Sequence, residues 1–231
     1  MCAMHVRQGR DVMIVEIRAG EGGRDAEDLV VEQFRIYSRL AAGRGLAVEI
    51  LQVRAGVAVF RVDGAAAAEA FRDEAGGHRW QRVPDSEKHG RVHSSTVTVA
   101  VLPEPTATEV VVHPGDLEWS FSRGSGPGGQ NKNKLETAVD LVHRPTGVRV
   151  HCESERSQHE NKRIALAALR ARLWQAQQEA DTRARADLRR GQVGSAERSE
   201  KRRTVAVQRG QVVDHVTGRR WDIKAYLAGR W

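Results

Sequence analysis

Cysteine is nearly missing from this 231-residue chain, which carries only Cys2 and Cys152, far apart in sequence. That excludes a disulfide-stapled secreted scaffold and leaves a structural zinc site short of thiolates. Long hydrophobic runs are missing as well. No stretch approaches the roughly 18 uninterrupted apolar residues of a membrane span, and Met1 to Asp11 holds no apolar segment followed by a cleavage site. The cytoplasm is therefore the expected compartment, with no membrane partner. An excess of one charge is missing from residues 1–100, where 14 Lys and Arg face 14 Asp and Glu.

The chain does have enough apolar residues for a core, at 40% hydrophobic and 29% charged, which is a globular and not a disordered composition. Its net charge of +7 is concentrated: residues 122–203 hold 18 Lys and Arg against 10 Asp and Glu, an excess of 18 − 10 = 8. Clustered cations displace counterions from phosphates, so nucleic acid is the expected partner of that region, although a solvated helix face has the same composition.

The pattern predicts strands alternating with helices, without an internal repeat. Val12 to Ile17 reads as a strand, and the turn with Gly20, Gly22 and Gly23 leads to a helix from about Asp25, with Val30, Phe34, Tyr37 and Ala41 on its core face. Val48 to Val53 and Val57 to Val62 read as strands and Ala65 to Phe71 as a short helix. Residues 76–95 read as a polar loop, and Thr96 to Leu102 as a strand that ends at Pro103 and Pro105. A second domain is expected from His113, with a strand at Leu117, Trp119 and Phe121, then Thr137 to Arg144 and Gly147 to Cys152. Ser157 and Glu160 have capping-box spacing before a basic helix striped by Ile164, Leu166, Leu169 and Leu173, which Gly191 and Gly194 should break. The tail from Thr204 to Val216 returns to strand alternation. The expected fold is α+β: a mixed domain over residues 1–112, completed by 195–231, with a second domain, 113–194, inserted.

The least ordinary stretch is Arg123 to Lys134, R-G-S-G-P-G-G-Q-N-K-N-K. Gly124, Gly126 and Gly129 satisfy the G-x-G-x-x-G spacing of a dinucleotide site, but that site needs a helix opening within the motif, and Asn131 to Lys134 is polar and leads to a strand. A flexible glycine-rich surface loop is the plainer alternative. The G-G-Q after S-G-P, the hairpin with P-T-G, and E-R-S-Q-H-x-N-K at Glu155 to Lys162 resemble, in that order, the catalytic domain of bacterial class I peptide chain release factors. The similarity extends upstream through I-R-A-G-E-G-G at Ile17 to Gly23, G-G-H-R-W-Q-R-V-P at Gly76 to Pro84 and G-R-V-H-S-S at Gly90 to Ser95. It continues downstream to Val213, Asp214 and His215.

The resemblance implies a ribosomal role: hydrolysis of the peptidyl-tRNA ester with Gly128, Gly129 and Gln130 at the catalytic tip. Two residues without Cβ let the loop enter a narrow RNA cleft, and the Gln130 N–H would stabilise the developing oxyanion while its side chain admits water. The domain around 1–112 would read the codon through Gln81, the tripeptide Pro84, Asp85 and Ser86, and then His93 and Ser94. The tripeptide resembles the P-x-T of the UAA/UAG-reading type, with Ser86 keeping the hydroxyl. Arg123, Lys132, Lys134, Arg156, Lys162 and Arg163 would pair with rRNA. Implied partners are rRNA, mRNA and peptidyl-tRNA, with a glutamine methyltransferase acting on Gln130; no cofactor and no metal are expected, and the chain would act as a monomer.

The N-terminal helical domain of the family is not matched ahead of Ile17, and Asn131, Lys132 and Asn133 replace the usual H-V-N. Two other functions therefore stand beside stop-codon-dependent release: codon-independent rescue of stalled ribosomes, and ribosome or RNA binding without catalysis. His89 and His93 are poorly spaced for a metal pair, Trp174, Trp221 and Trp231 are expected to pack, and Cys152 reads as a small strand hydrophobe.

Overall fold

A computed structural model of the chain describes residues 12–104, 110–124, 134–194 and 201–231. It divides into two compact units, Met1–Pro105 with Arg185–Trp231, and Thr106–Ala184. The first unit is built on one eight-stranded sheet. Its strands are β1 (Val12–Ala19), β2 (Ala47–Arg54), β3 (Val57–Asp63), β4 (Gly76–Arg82), β5 (His93–Pro103), β9 (Arg203–Ala206), β10 (Gln211–Asp214) and β11 (Arg220–Asp222), in the order β11-β10-β9-β4-β5-β1-β3-β2. All pairings are antiparallel except β4 with β9, where His78 to Gln81 run beside Arg203 to Ala206. The tail strands β9, β10 and β11 thus belong to the same sheet as β1 to β5.

Residues 76–95 are not a loop throughout. Gly76–Arg82 forms an interior strand and β5 begins at His93. Its polar residues are accommodated by neighbours that the sequence does not place there: His78 is fully buried, and its Nε2 meets the Glu74 carbonyl at 2.9 Å. Helix α1 (Arg24–Gly43) buries Leu29, Val30, Ile36, Tyr37 and Leu40 on the sheet, a 3–4 residue stripe matching the helical period. Phe34, Tyr37, Phe60 and Phe71 meet there, with Phe34 edge-on to Phe60 at 5.1 Å and Tyr37 edge-on to Phe71 at 5.4 Å. The short helix α2 (Ala67–Phe71) supplies the last of these rings.

The second unit has a three-stranded antiparallel sheet, β6 (Leu117–Ser122), β7 (Ala138–His143) and β8 (Val148–Cys152), which packs on helix α3 (Gln158–Val193) through Ala165, Leu169 and Leu173. Gly191 does not break α3, which continues to Val193. Its end is held in the first unit: the Gln192 side chain donates to the Val101 carbonyl and accepts from the Val101 N–H, both at 2.8 Å, and Arg189 pairs with Glu16. That pairing compensates the roughly 1 kcal/mol helix cost of glycine. The capping box is not made as read, because Glu160 bonds to Arg163. Trp174 does not pack either; it is 56% exposed on the middle of α3. Cys152 is buried as expected. The last helix, α4 (Ile223–Leu227), is capped by Asp222, which accepts from the Lys224 N–H at 2.8 Å and the Ala225 N–H at 3.2 Å.

Candidate functional site

In the second unit, the sheet fixes where the glycine-rich loop begins and ends. Ser122 closes β6 opposite Ala138, the first residue of β7, so the stems of the 123–137 connection leave from paired positions. Gly128, Gly129, Gln130 and Lys132 lie outside the described residues. The returning stem is clamped from α3 by two residues of the E-R-S-Q-H-x-N-K stretch. Gln158 Nε2 donates to the Glu136 carbonyl at 2.7 Å, and buried Asn161 Nδ2 donates to the carbonyls of Thr137, at 2.8 Å, and Glu155, at 2.9 Å. Asn161 Oδ1 also accepts from the Glu155 N–H at 2.9 Å. These residues read as part of a signature, and their contacts hold Glu136 and Thr137 ahead of β7, together with Glu155.

The expected phosphate-pairing cations are not equivalent. Arg123, Lys134 and Arg156 are exposed. Arg163 is exposed but holds Glu160, and the Glu160 side chain keeps the Arg163 guanidinium above its usual range. Lys162 is half-buried, with its ammonium 4.4 Å from the Phe121 ring centre and 5.9 Å from that of Trp119, a cation–π seat that ties it to β6.

In the first unit a cleft of about 420 Å³ opens where the N-terminus of α1 meets the start of β5. Pro84, Ser86, His93 and Ser94 line it together with Gly22, Arg24, Asp25 and Ser95. Four of the six positions expected to read a codon thus line one cleft. Asp85 is exposed outside that lining and Gln81 lies on β4, its backbone paired with Ser94. Gly22, Arg24 and Asp25 also line the cleft, and nothing local in G-E-G-G says that this turn faces a loop some sixty residues on.

The cleft is held by specific bonds. Thr96 N–H and Oγ1 both donate to the Glu21 carbonyl, at 2.7 and 3.1 Å, and the Gly20 N–H donates to the Thr96 carbonyl at 2.9 Å. Arg82 donates through Nε and Nη2 to Asp25 Oδ1 at 3.0 and 2.7 Å, while Asp25 Oδ2 is buried without a protein partner. From the tail, the Val207 N–H donates to the Gln81 carbonyl at 3.0 Å, so the return strand supports the foot of the 83–92 loop. Within that loop Glu87 holds three donors: the His89 N–H at 2.7 Å, Arg91 at 3.2 Å and His93 Nε2 at 3.0 Å. The His89 N–H above all, then Arg91 and His93, outweigh burial and hold the Glu87 carboxyl below its ordinary range.

Away from the cleft, a guanidinium sits inside the first unit. Arg203 binds Glu74 at 2.5 Å and Asp214 at 3.3 Å and lies 5.0 Å from the Trp221 ring centre. Trp231 Nε1 donates to Glu74 at 3.1 Å, and Trp221 and Trp231 both pack against the core of the first unit. Among the described residues no group of three His, Cys, Asp or Glu is arranged to hold a metal, and no helix is long and apolar enough to cross a membrane.

Two family models match the chain: a PCRF domain over residues 5–99 and an RF-1 domain over residues 106–216. Peptide chain release factor 1 of Thermotoga maritima is 44% identical over 214 residues, which is 90% of this chain and 63% of that protein. The same factor of Anaeromyxobacter dehalogenans is 42% identical over 94% of this chain and 60% of its own length. The solved structure of RF2 of Thermus thermophilus matches with a TM-score of 0.54 and 35% identity, covering 95% of this chain and 65% of that one. The chain spans about three fifths of the length of these curated relatives.

Proposed function

Because the chain belongs to the class I peptide chain release factor family, carrying its PCRF and RF-1 domains in order, we propose that it promotes translation termination by hydrolysis of the peptidyl-tRNA ester on the ribosome. The observation that favours a codon-dependent reaction is the cleft that Pro84, Ser86, His93 and Ser94 line together beside α1. A cleft of this kind offers a hydroxyl to a base edge and an imidazole face for stacking, which is how single-stranded RNA is read. The codon-reading unit is then the first, and the unit with the G-G-Q loop carries the chemistry.

In this reading Gly128 and Gly129 carry the backbone into the peptidyl transferase centre and the Gln130 N–H faces the developing oxyanion. No general base is assigned to the protein. Arg123, Lys132, Lys134, Arg156 and Arg163 supply phosphate contacts, with Lys162 acting from its aromatic seat. Gln130 is the residue a glutamine methyltransferase would modify, and the factor works as a cytoplasmic monomer.

The test is peptide release from purified ribosomes loaded with labelled peptidyl-tRNA. Release with a stop codon in the A site, and not with a sense codon, is the expected result. Release only on mRNA truncated at the A site would make this a rescue factor, and binding without release in either case would make it a binding module. Gln130→Pro removes the N–H and is expected to slow release by roughly 10²–10³-fold, the usual effect of losing one oxyanion donor. Gly129→Ala is expected to abolish release while ribosome binding persists.

A further inference from the structure

Glu87 is not among the residues to which sequence resemblance gave a role, yet it is the hub of the loop that borders the cleft. Its N–H donates to the Pro84 carbonyl at 2.9 Å and closes a turn over Asp85 and Ser86. Its side chain is 6% exposed, although the neighbouring Asp85, Ser86, Lys88 and His89 are exposed. One carboxylate oxygen accepts from the His89 N–H, and the other meets Arg91 and His93 Nε2. His93 itself is half exposed at the cleft wall.

We infer that Glu87 is a positioning residue for the proposed RNA reading: it fixes the orientation and the tautomer of His93. An ionised carboxylate has no proton to give, so its bond to Nε2 requires Nε2–H, and in the neutral ring Nδ1 is then the acceptor. The ring thereby favours an RNA group that donates, such as an exocyclic amine or a ribose 2′-hydroxyl, over a carbonyl in the same place. Arg91 supports this, because its guanidinium on the same carboxylate keeps it ionised and holds it in place. The imidazole also starts from a fixed plane, which lowers the ordering cost of stacking on a base. This role rests on the proposed codon-reading function of the cleft.

Two measurements test it. Imidazole nitrogen NMR of the whole chain, with His93→Gln used to assign the signals, is expected to show the neutral His93 ring as the Nε2–H tautomer. Glu87→Ala should leave a tautomer mixture, and Glu87→Gln, whose amide oxygen still accepts, should restore the single form. On stop-programmed ribosomes, Glu87→Ala should raise the concentration needed for half-maximal release about tenfold, the usual weight of one hydrogen bond to a charged group. It should also narrow discrimination between adenine and guanine in the codon, with the maximal release rate changing little and Glu87→Gln recovering most of both. An Nδ1–H tautomer in the unmodified chain, or unchanged half-saturation and discrimination in Glu87→Ala, would overturn the inference. If the unmodified chain releases no peptide, the functional reading fails, and the NMR result still decides whether Glu87 positions His93.

Discussion

A methyl group on Gly22 would lie 2.6 Å from the Ser95 Cβ, and the residue sits at φ +135°, where side chains are strained. Gly23 next to it has φ +58° with nothing within 4 Å of an added Cβ. Gly22→Ala is therefore expected to destabilise the first unit by about 2–3 kcal/mol, and Gly23→Ala by only the roughly 1 kcal/mol of the left-handed conformation. Urea unfolding of both variants checks the order, and equal losses would mean that the contact with β5 carries no weight. The sequence shows two adjacent glycines, and their inequality comes from Ser95, seventy positions away. The cleft residues divide in the same way. Pro84, Ser86, His93 and Ser94 lie in one short stretch and were legible as a group, whereas Asp25 joined them only because Arg82 reaches back to it.

At the scale of elements, the first strand after the inserted segment is seated by a buried charge. Arg203 opens β9 and is 1% exposed on its side chain, between Glu74 at 2% and Asp214 at 0%. Such a pair adds little over a well-packed apolar substitute, but losing one partner leaves its counter-charge stranded at a cost of about 3–5 kcal/mol. Arg203→Met is accordingly expected to lower the first unit's stability by that amount, measured by thermal or urea unfolding. A loss below 1 kcal/mol would show that Glu74 and Asp214 find other partners. In the second unit, Asn161→Ala removes bonds to Thr137 and Glu155 from a fully buried site and should cost about 2–4 kcal/mol. Gln158→Ala should cost under about 1 kcal/mol because its site is partly exposed, while speeding amide exchange around Glu136 and Thr137. The apolar stripe of α3 was legible by its period. Its passage through Gly191 was not, because the bonds that hold its last turns come from β1 and β5.

For the whole molecule, acid is the sensitive direction. Burial, reinforced by the Arg203 charge, pushes the His78 imidazole from 6.5 to about 3. Burial alone would raise the Asp214 carboxyl, but the Thr217 N–H and the guanidinium groups of Arg203 and Arg202 outweigh it and bring the group from 3.8 to about 2. Both folded values lie below the unfolded ones, so the unfolded chain binds more protons on acidification and stability falls with pH. The His78 contribution is complete above pH 6.5 and is lost towards pH 3, on the order of 4 kcal/mol; that of Asp214 is lost between pH 3.8 and 2, about 2 kcal/mol. His78→Gln, which keeps a donor for the Glu74 carbonyl and does not titrate in this range, should flatten the upper window in denaturation curves taken from pH 7 to 4. An unchanged slope would mean that the His78 imidazole binds its proton equally well in the folded and unfolded chain. With the ribosome as the proposed partner, the basic excess of residues 122–203 predicts an affinity that falls steeply with KCl, more so than for a variant with Arg123, Lys134 and Arg156 replaced by Gln.

Periodicity and turn chemistry by themselves determined α1, the hairpin strands, the amphipathic half of α3 and the strand character of the tail, because those features depend on neighbours a few residues apart. Motif order likewise pointed to the family and to Gly128, Gly129 and Gln130. Tertiary structure alone decided that Gly76–Arg82 is an interior strand, that β9 runs parallel beside it, and that Arg203 is a core residue. It alone also made Glu87 the holder of His93. A polar residue reads as surface until the partner that satisfies its hydrogen bonds and charge is known, and here those partners lie on elements far away in the chain or across a turn whose geometry the backbone had first to set.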